Sequence, residues 1–508
     1  MTAHNPKIRT LDDLAVQLDA VKAAGQRVVL AHGVFDLLHM GHIRHLEQAK
    51  CMGDVLVVTL TQDQFVNKGP HRPAFSQDLR AEALAALQMV DFVAVNRWPQ
   101  AAETIRLLKP NIYVKGQEYR QAELDITGGI TPEAEAVQAV GGEIRFTEDI
   151  VFSSSHLLNR FFSPFDAETE QYLECFQKAH SSAEVIAWLE KAAALRPVVV
   201  GEAIIDEYVF CDAIGKSTKD PVLAVLQQEV EAYVGGSLAV ANHLAGLCDS
   251  VTLITQLGDQ DRAEAFVRQH MRPNVHGTYL TKTGSPTIHK RRIVERYTSN
   301  KLLELYVMND RVTTGADAQA LVQALAADAA RSELLLVTDY GHGMLMPEAI
   351  ARLWDARFLA VNAQSNAGNR GFNPISKYRR ADYVCLANHE VDIETRQRGG
   401  NEYDQVRELA QHVACPRFTV TRGKRGTLHY DTVDGFCEAP ALATRVVDRV
   451  GAGDAVFALT SLLLRLGAPW DIVAFLGNVA GAQAVAELGN RSALDRLALS
   501  RHVIALLK

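Results

Sequence analysis

The sequence predicts an α/β protein built on two doubly wound parallel sheets. Apolar strand candidates alternate with helical stretches from residue 28 onwards, and the alternation restarts at Val198-Val199-Val200-Gly201. Such an alternation is typical of parallel sheets that carry helices on both faces. A chain of 508 residues is also long for one core, so two or three domains are expected.

The first domain is predicted to span residues 1–162. Thr10 is placed to cap an opening helix, with Asp13 within reach of it and Gly25 as the stop. Strands are predicted over Val28–Ala31, Val55–Leu60, Phe92–Val95 and Ile112–Val114, and helices over Asp78–Met89 and Gln100–Leu108. Ligands of such sheets bind at the carboxyl ends of the strands.

The rest of the chain is predicted to form a linker and a second domain. Residues 163–197 are polar with helical spacing and are predicted to be a helical linker. Residues 198–508 are predicted to be the second α/β domain, in which Tyr208–Cys211 and Val222–Val225 form strands of a small β lid.

Composition excludes several classes of protein. A net charge of −8 gives no basic excess of the kind that nucleic-acid binders need. Met1–Thr10 is polar and no apolar run approaches the ~20 residues that span a bilayer, so we expect a cytoplasmic protein without a membrane partner. Seven cysteines without a Cys-x-x-Cys spacing predict reduced core residues.

A candidate anion site follows the first predicted strand. Gly33 and Gly41 let an anion approach the backbone, and His39 and His42 place two ring donors on one face of a helix N-terminus. A metal site and a pair of core histidines are the alternatives. The sequence shows no third metal ligand at a recognisable interval.

Later segments supply further partners for phosphates. Lys68 and Lys115 each precede a glycine in a loop, and Lys115 comes directly after a predicted strand. Ser153, Ser154 and Ser155 are placed to cap another helix. For Lys68 alone, a solvated loop is the competing interpretation.

The string from Gly33 to His42 resembles the cytidylyltransferase-like branch of the HxGH nucleotidyltransferases, over roughly residues 25–162. The resemblance implies a Rossmann-like fold in which His39, His42 and Lys68 are catalytic while a sugar phosphate attacks the α-phosphorus and pyrophosphate leaves. It also implies nucleotide-binding roles, which fall on Gly33, Phe35, Asp36, Gly41, Lys115, Ser153, Ser154 and Ser155.

A second candidate anion site lies near the other end of the chain. Gly451, Ala452 and Gly453 precede the apolar helix Ala455–Leu464, so their amides converge at its N-terminus. Asp454 is in reach of the same spot. An anion hole beside a carboxylate suits phosphoryl transfer to a hydroxyl group, because the carboxylate takes the proton.

The order of motifs over residues 198–508 resembles that of the ribokinase-like (PfkB) sugar kinases. The resemblance implies that Asp454 is the catalytic base and that the kinase uses ATP with Mg²⁺, with Glu390 in an indirect metal role. It implies sugar contacts from Asp206, Gly235, Gly236 and Asn242, and nucleotide contacts from Thr421, Gly423, Gly451, Ala452 and Gly453.

Three departures from that pattern affect the kinase motifs. Ala387 stands where family members commonly have the Asn of Asn-x-x-Glu, and Arg449 stands in place of the usual Thr. A polar run beginning at Asn362 and continuing to Asn373 replaces a frequent Asp-Pro turn. These changes bear on magnesium handling and on the acceptor.

Together the two domains resemble the bifunctional heptose kinase/nucleotidyltransferases that make ADP-heptose for lipopolysaccharide, with the domain order reversed. The resemblance implies phosphorylation of a heptose-phosphate-like sugar, followed by nucleotidyl transfer from ATP or CTP to a sugar 1-phosphate. We expect sugar phosphates and nucleoside triphosphates as small-molecule partners, and a homodimer. The alternative is an active nucleotidyltransferase, for another sugar, polyol or related phosphate, whose degenerate kinase-like domain senses a ligand or serves as a scaffold.

Overall fold

A computed structural model describes residues 5–66, 73–116, 130–147 and 164–507. The chain divides into two compact units, one of residues 1–166 with 500–508 and the other of residues 167–499. Among the described helices none is both long and apolar enough to cross a membrane. The predicted residues Lys68, Ser153, Ser154 and Ser155 lie outside the described ranges.

The first unit contains a five-stranded, fully parallel sheet in the order β3-β2-β1-β4-β5. Its strands are β1 (Val28–Gly33), β2 (Val55–Thr61), β3 (Phe92–Asn96), β4 (Ile112–Gly116) and β5 (Glu143–Thr147). Its helices are α1 (Leu11–Ala23), α2 (Met40–Lys50), α3 (Gln77–Ala85), α4 (Ala102–Leu108) and α5 (Ile130–Ala139). The strand order reverses between β1 and β4, which is where such sheets bind ligands.

The strands of this unit form where the sequence is apolar and β-branched. β2 is buried along its whole length, as expected of a parallel strand covered on both faces. Thr10 caps α1 as predicted, since its Oγ1 accepts from Asp13 N at 3.2 Å. The helix predicted over Asp78–Met89 is shorter in the structure, where α3 begins at Gln77 and ends at Ala85.

The second unit is built on a nine-stranded sheet in the order β10-β9-β6-β13-β14-β15-β16-β17-β18. Its strands are β6 (Val198–Gly201), β9 (Val251–Gly258), β10 (Val275–Lys282), β13 (Leu335–Asp339), β14 (Leu359–Ala363), β15 (Tyr383–Ala387), β16 (Arg417–Thr421), β17 (Thr427–Asp431) and β18 (Gly435–Ala439). Seven strands are parallel, and β17 and β18 extend the edge as antiparallel strands. The carboxyl ends of the parallel strands therefore share one edge.

A four-stranded sheet in the order β12-β11-β7-β8 forms the lid. Its strands are β7 (Ala203–Lys216), β8 (Leu223–Gly236), β11 (Ile288–Glu295) and β12 (Lys301–Val307). β7 and β8 contain or overlap the two predicted lid segments. Both strands are longer than predicted because polar residues continue the pairing beyond the apolar core.

Helices cover both faces of the nine-stranded sheet. They are α6 (Ala167–Ala179), α7 (Ser182–Ala192), α8 (Ser237–Ala245), α9 (Ala263–His270), α10 (Gly315–Asp328), α11 (Pro347–Leu353), α12 (Asn388–Thr395), α13 (Glu402–His412), α14 (Ala452–Arg465) and α15 (Trp470–Val485); α16 (Arg496–Leu506) follows them. α6 and α7 lie in the segment predicted as a linker. Phe176 of α6 stacks on Phe475 at a ring-centroid distance of 4.3 Å, so α6 packs within the second unit. The domain boundaries themselves stay a prediction.

Candidate functional sites

The predicted histidine pair lies in the first turn of α2. His39 is the N-cap, and its Nδ1 accepts from Gly41 N at 3.1 Å. In a neutral ring this bond places the proton on Nε2. The rings of His39 and His42 stack at a centroid distance of 4.0 Å, which brings both to one spot.

Phe35 and Asp36 shape the loop that leads into this turn. The buried Phe35 ring meets His42 edge-on at a centroid distance of 5.3 Å. Asp36 is also buried, and its Oδ1 accepts from Ala74 N at 2.6 Å and from Phe75 N at 3.3 Å. These contacts give Asp36 a role in fixing the 73–76 loop, and direct nucleotide contact stays a prediction for both residues.

Lys115 is the last residue but one of β4, beside the carboxyl end of β1. It forms an ion pair with Glu133 of α5, with Nζ 2.8 Å from Oε2. Two histidines that sequence reasoning missed lie near it. His32 Nδ1 lies 3.0 Å from Thr59 Oγ1, and His45 Nδ1 lies 2.8 Å from Thr147 Oγ1.

Both of these histidines are held neutral. Burial, and then the charge of Lys115, lower the pKa of His32 to about 3 and that of His45 to about 4. A neutral ring beside the strand ends can bind a phosphate or sugar hydroxyl without a change of charge. His32 was recognisable in principle as a polar residue at the end of an apolar strand, whereas His45 is placed only by the fold.

The second predicted anion site forms at the N-terminus of α14. Gly451 is its N-cap with φ of 82°, and a Cβ there would fall 2.0 Å from Asn490 Oδ1, so only glycine fits. Ala452 and Gly453 begin the helix, so their amides have no partner within it, and Ala452 N donates a long bond of 3.4 Å to Arg449 O in the preceding loop. A helix N-terminus of this kind favours an anion, and anion binding by these three residues stays a prediction.

Asp448 fixes the loop that leads into this helix. Its carboxylate accepts from Tyr208 Oη at 2.6 Å, from Lys301 Nζ at 2.5 Å and from Arg449 N at 2.7 Å. Tyr208 lies on β7 and Lys301 on β12, so two lid strands hold the loop. Arg449, the residue that departs from the family pattern, contributes through its backbone.

Asp454 lies in the first turn of α14 and is only 7% exposed. Its Oδ1 accepts from Tyr340 Oη at 3.0 Å and from Gln364 Nε2 at 2.9 Å. Burial and then the nearby Asp206 raise the pKa of Asp454 to about 6, although both hydrogen bonds and Lys290 lower it. A carboxylate with that pKa can accept a proton near neutral pH.

Asp206 lies on β7 in an ion pair with Arg292 of β11, with Oδ1 2.6 Å from Nη1. Gly235 lies on the paired strand β8, and a Cβ there would fall 2.1 Å from Asp206 Oδ2, so the carboxylate uses the space that glycine leaves. Gly236 follows and is the N-cap of α8. These three predicted sugar-binding residues therefore meet at the base of the lid.

Asn242, the fourth predicted sugar contact, uses its side-chain amide in hydrogen bonds to the protein backbone. Its Nδ2 donates to His270 O at 2.9 Å and its Oδ1 accepts from Arg272 N at 3.0 Å. The side chain therefore ties α8 to the turn after α9. A sugar contact from Asn242 stays a prediction and would compete with these bonds.

Thr421 ends β16, and Gly423 begins a short turn directly after it. Glu390 lies on the neighbouring α12, where Oε2 accepts from Ala387 N at 2.6 Å and Oε1 from Ser365 N at 2.8 Å. Burial raises the pKa of Glu390 to about 7 despite these two bonds. A cavity of about 250 Å³ lies beside Glu390 and Ser365.

No group of three or more His, Cys, Asp and Glu side chains is arranged for a metal ion within the described ranges. Glu390 fits the indirect role predicted for it. Each of its oxygens accepts one backbone N–H, and each keeps a lone pair that a metal-bound water can use.

Residues 195–496 match the model of the pfkB family carbohydrate kinases, which covers more than half of the chain. The chain belongs to the pfkB family of carbohydrate kinases. Residues 30–160, which precede the kinase match, match the cytidylyltransferase-like family. The second unit of this pfkB protein is thus ribokinase-like, and the first is Rossmann-like, as the sequence predicted.

Two curated relatives carry the name bifunctional protein HldE. That of Pelobacter propionicus is 40% identical over 144 residues, which are 27% of each chain. That of Chromohalobacter salexigens is 45% identical over 133 residues, or 25% of this chain and 26% of the relative. The alignments thus span about a quarter of each relative's length, and similarity to them agrees with the predicted resemblance.

The ribokinase-like fold is also seen in solved structures. The phosphofructokinase-2 from Escherichia coli, solved in complex with potassium, has a TM-score of 0.50 and 15% sequence identity to this chain. The match covers 62% of this chain and 100% of that structure. At this identity the likeness shows the fold alone.

Sequence reasoning missed Lys290 in the pfkB unit. It lies on β11 close to Arg292, is only 8% exposed, and interacts electrostatically with Asp206, Asp454 and Glu202. Its position opposite Asp206 follows from the pairing of β11 with β7. Local sequence gives no sign of that pairing, because Asp206 and its ion-pair partner Arg292 lie 86 positions apart in the chain.

Proposed function

We propose that this protein is a bifunctional enzyme of nucleotide-activated sugar synthesis. The pfkB unit transfers the γ-phosphoryl group of ATP to a heptose-phosphate-like sugar, and the cytidylyltransferase-like unit transfers a nucleotidyl group from ATP or CTP to a sugar 1-phosphate. The observation that carries the proposal is Asp454, a buried carboxylate with a pKa of about 6 in the first turn of α14.

In the kinase step, Asp454 takes the proton of the acceptor hydroxyl as the oxygen attacks the γ-phosphorus, and ADP leaves. The amides of Gly451, Ala452 and Gly453 stabilise the charge on the transferring group. Asp206, Gly235 and Gly236 hold the sugar, with Asn242 at the edge of that site. Thr421 and Gly423 contact ATP.

Mg²⁺ neutralises phosphate charge when it is bound, and Glu390 would hold it through water. Glu390 fits this role because both of its oxygens keep a lone pair at the wall of the 250 Å³ cavity. Its high pKa weakens the role below about pH 7, where the carboxyl group is protonated.

In the nucleotidyl step, an oxygen of the sugar phosphate attacks the α-phosphorus and pyrophosphate leaves. The His39 Nε2–H and the stacked His42 stabilise the negative charge that develops. Gly33, Gly41 and Lys115 contact the phosphates, and Lys68, Ser153, Ser154 and Ser155 take the roles that the resemblance implies. The kinase unit, although second in the chain, acts first.

The enzyme is expected to work where its substrates are found. Both steps consume nucleoside triphosphates, so we expect the protein in the cytoplasm with small-molecule sugar phosphates as its partners. We propose a homodimer that binds neither nucleic acid nor membrane. Analytical ultracentrifugation of the full chain tests the dimer.

A matrix of nucleoside triphosphates against sugar phosphates, read as pyrophosphate release, tests the nucleotidyl step and identifies its base. ADP release from ATP with a panel of sugars and sugar phosphates tests the kinase step. Pyrophosphate release with CTP but not ATP would assign CTP to the first unit.

A second candidate function rests on Ala387 and Glu390. Ala387 has no side-chain oxygen to cap α12, and Glu390 is held by backbone amides with a raised pKa. Both features favour weak magnesium handling, which suits a kinase-like domain that senses a sugar or nucleotide. ATP binding without ADP release from any acceptor would favour this function.

A further inference from the structure

Two side chains donate to one oxygen of Asp454. They are Tyr340, which follows β13, and Gln364, which follows β14. We propose that Tyr340 and Gln364 are positioning residues that fix Oδ1 of Asp454 and so leave Oδ2 to take the proton of the acceptor hydroxyl. This inference rests on the proposed kinase activity and deepens it.

The two hydrogen bonds hold one oxygen of the Asp454 carboxylate, and the other oxygen is then the one that accepts the proton. Tyr340 Oη and Gln364 Nε2 lie 3.0 Å and 2.9 Å from Oδ1. Within the described residues both side-chain hydrogen bonds to the Asp454 carboxylate fall on Oδ1 and neither on Oδ2. A general base needs a lone pair within reach of the reacting hydroxyl, and a carboxylate held at one oxygen presents the other in a fixed direction.

The polar run that departs from the family pattern holds these donors in place. Asn366 Nδ2 and Asn369 Nδ2 both donate to Tyr340 O, at 2.8 Å and 2.5 Å. Asn373 Nδ2 lies within 3.2 Å of Gln364 O and within 3.0 Å of Asp339 O. The three asparagines therefore join the backbone segments that carry the two donors.

A backbone hydrogen bond also joins the two segments that carry the donors. Gln364 N donates to Asp339 O at 2.8 Å, so the ends of β13 and β14 stay in register beyond the last ladder pair. Because both donors start from a fixed backbone, little side-chain freedom is lost when they bind Asp454. The run from Gln364 to Asn373 therefore supplies one donor to Asp454 and holds the backbone of the other.

The titration of Asp454 reports these bonds. The groups that face it are Asp206 of β7, Lys290 of β11, Tyr340, Glu390 of α12 and Cys385 of β15. Burial and Asp206 raise its pKa, whereas the bonds from Tyr340 and Gln364 and the charge of Lys290 lower it. Loss of either donor therefore raises the pKa further, because the charged form loses a hydrogen bond.

The test is a ¹³C titration of the aspartate carboxyl carbons in the full chain, with the Asp454 resonance assigned by its loss in Asp454→Asn. We expect Gln364→Ala and Tyr340→Phe each to move the Asp454 midpoint upward by about one pH unit. Gln228→Ala is the matched control for the amide, because Gln228 donates to Asp212 at 2.8 Å on the exposed lid. Tyr403→Phe is the control for the phenol, since Tyr403 donates to Glu438 at the surface.

Kinase kinetics give the second readout. Because the donors orient the base and are not among the residues proposed to contact ATP, we expect kcat to fall by about tenfold in both variants while the KM for ATP stays unchanged. Tyr340→Phe removes one oxygen and keeps the ring, so both measurements can still be made on this variant if Gln364→Ala fails to fold.

The outcomes separate the two proposals. Unmoved Asp454 midpoints in both folded variants overturn the positioning role, whether or not the protein releases ADP. Moved midpoints in a protein that releases no ADP from any acceptor support the hydrogen-bond geometry and overturn the proposed kinase. A fall in kcat without a moved midpoint also contradicts the inference, because it indicates a general structural effect.

Discussion

Lys115 Nζ lies 2.8 Å from Glu133 Oε2 in the first unit, and both side chains are largely buried, at 12% and 6% exposed. A bound phosphate would have to share Lys115 with this carboxylate. The pair is therefore expected to contribute to the stability of the unit through its buried charges.

Glu133→Gln removes the charge from this pair and keeps its shape. We expect a loss of about 3 kcal/mol in the free energy of unfolding, because a buried ammonium loses its carboxylate partner. Urea unfolding measures this loss, and a nucleoside triphosphate should recover part of it by binding only the folded state. Asp12→Asn, in an exposed pair with Arg97, should cost under about 1 kcal/mol. If both variants lose the same free energy of unfolding, burial does not make the Lys115–Glu133 pair more important than the exposed pair.

The two proposed active sites predict a crossed pattern of inactivation. His42→Ala should abolish pyrophosphate release and leave ADP formation intact, because His42 stacks on His39 in the first unit. Asp454→Asn should do the reverse, since an amide cannot accept the hydroxyl proton. Parallel assays of the two products on each purified variant make the comparison. If either well-folded variant loses both activities, the sites are not independent.

The kcat/KM of the kinase step should begin to fall below about pH 6. Burial raises the pKa of Asp454 to about 6, and a general base works only when it is deprotonated. The value of kcat/KM should therefore be constant above this pH and fall tenfold per unit as the pH drops below it. A pH profile of kcat/KM for the acceptor measures this fall. A fall that begins near pH 4 would instead indicate a base in an ordinary environment.

The sequence predicted the local parts of both sites better than their long-range parts. The N-cap at His39 and the helix that begins after Gly451 follow from neighbouring residues, since caps and turns are decided within a few positions. The existence of the central strands and of the lid also follows from local apolar runs.

The missed contacts all depend on distant segments. Lys301 binds Asp448 across 147 residues, and Gln364 binds Asp454 across 90. Neither pairing follows from propensity or spacing, because each depends on the register of strands that meet only in the folded sheet. Asn242 shows the same limit, since its motif position suggests a sugar while its amide holds the turn at Arg272.

Gly235→Ala should weaken acceptor binding more than folding. The added Cβ would fall 2.1 Å from Asp206 Oδ2, so the carboxylate must move and its pair with Arg292 must loosen. We expect the KM for the acceptor to rise about tenfold, a change of about 1.4 kcal/mol, with the KM for ATP unchanged. Gly400→Ala is the control, because its backbone is not left-handed and its Cβ would meet only the flexible ends of the Gln397 and Gln405 side chains, at 3.2 Å and 3.3 Å. Unchanged acceptor KM in Gly235→Ala would remove Asp206 from the sugar site.

Ala387→Asn restores the family residue at the N-cap of α12. Asparagine can accept from the second or third helical N–H, whereas alanine leaves the cap to Glu390 alone. We expect the free energy of unfolding to rise by about 1 kcal/mol, measured by urea titration. If weak magnesium handling also comes from this position, the Mg²⁺ concentration for half-maximal ADP release should fall in the same variant. A gain in stability without any change in Mg²⁺ dependence would assign the magnesium role to other residues.

The exposed N-cap Ser181 of α7 gives the reverse control, because Ser181→Ala should cost about 1 kcal/mol and leave the Mg²⁺ dependence unchanged.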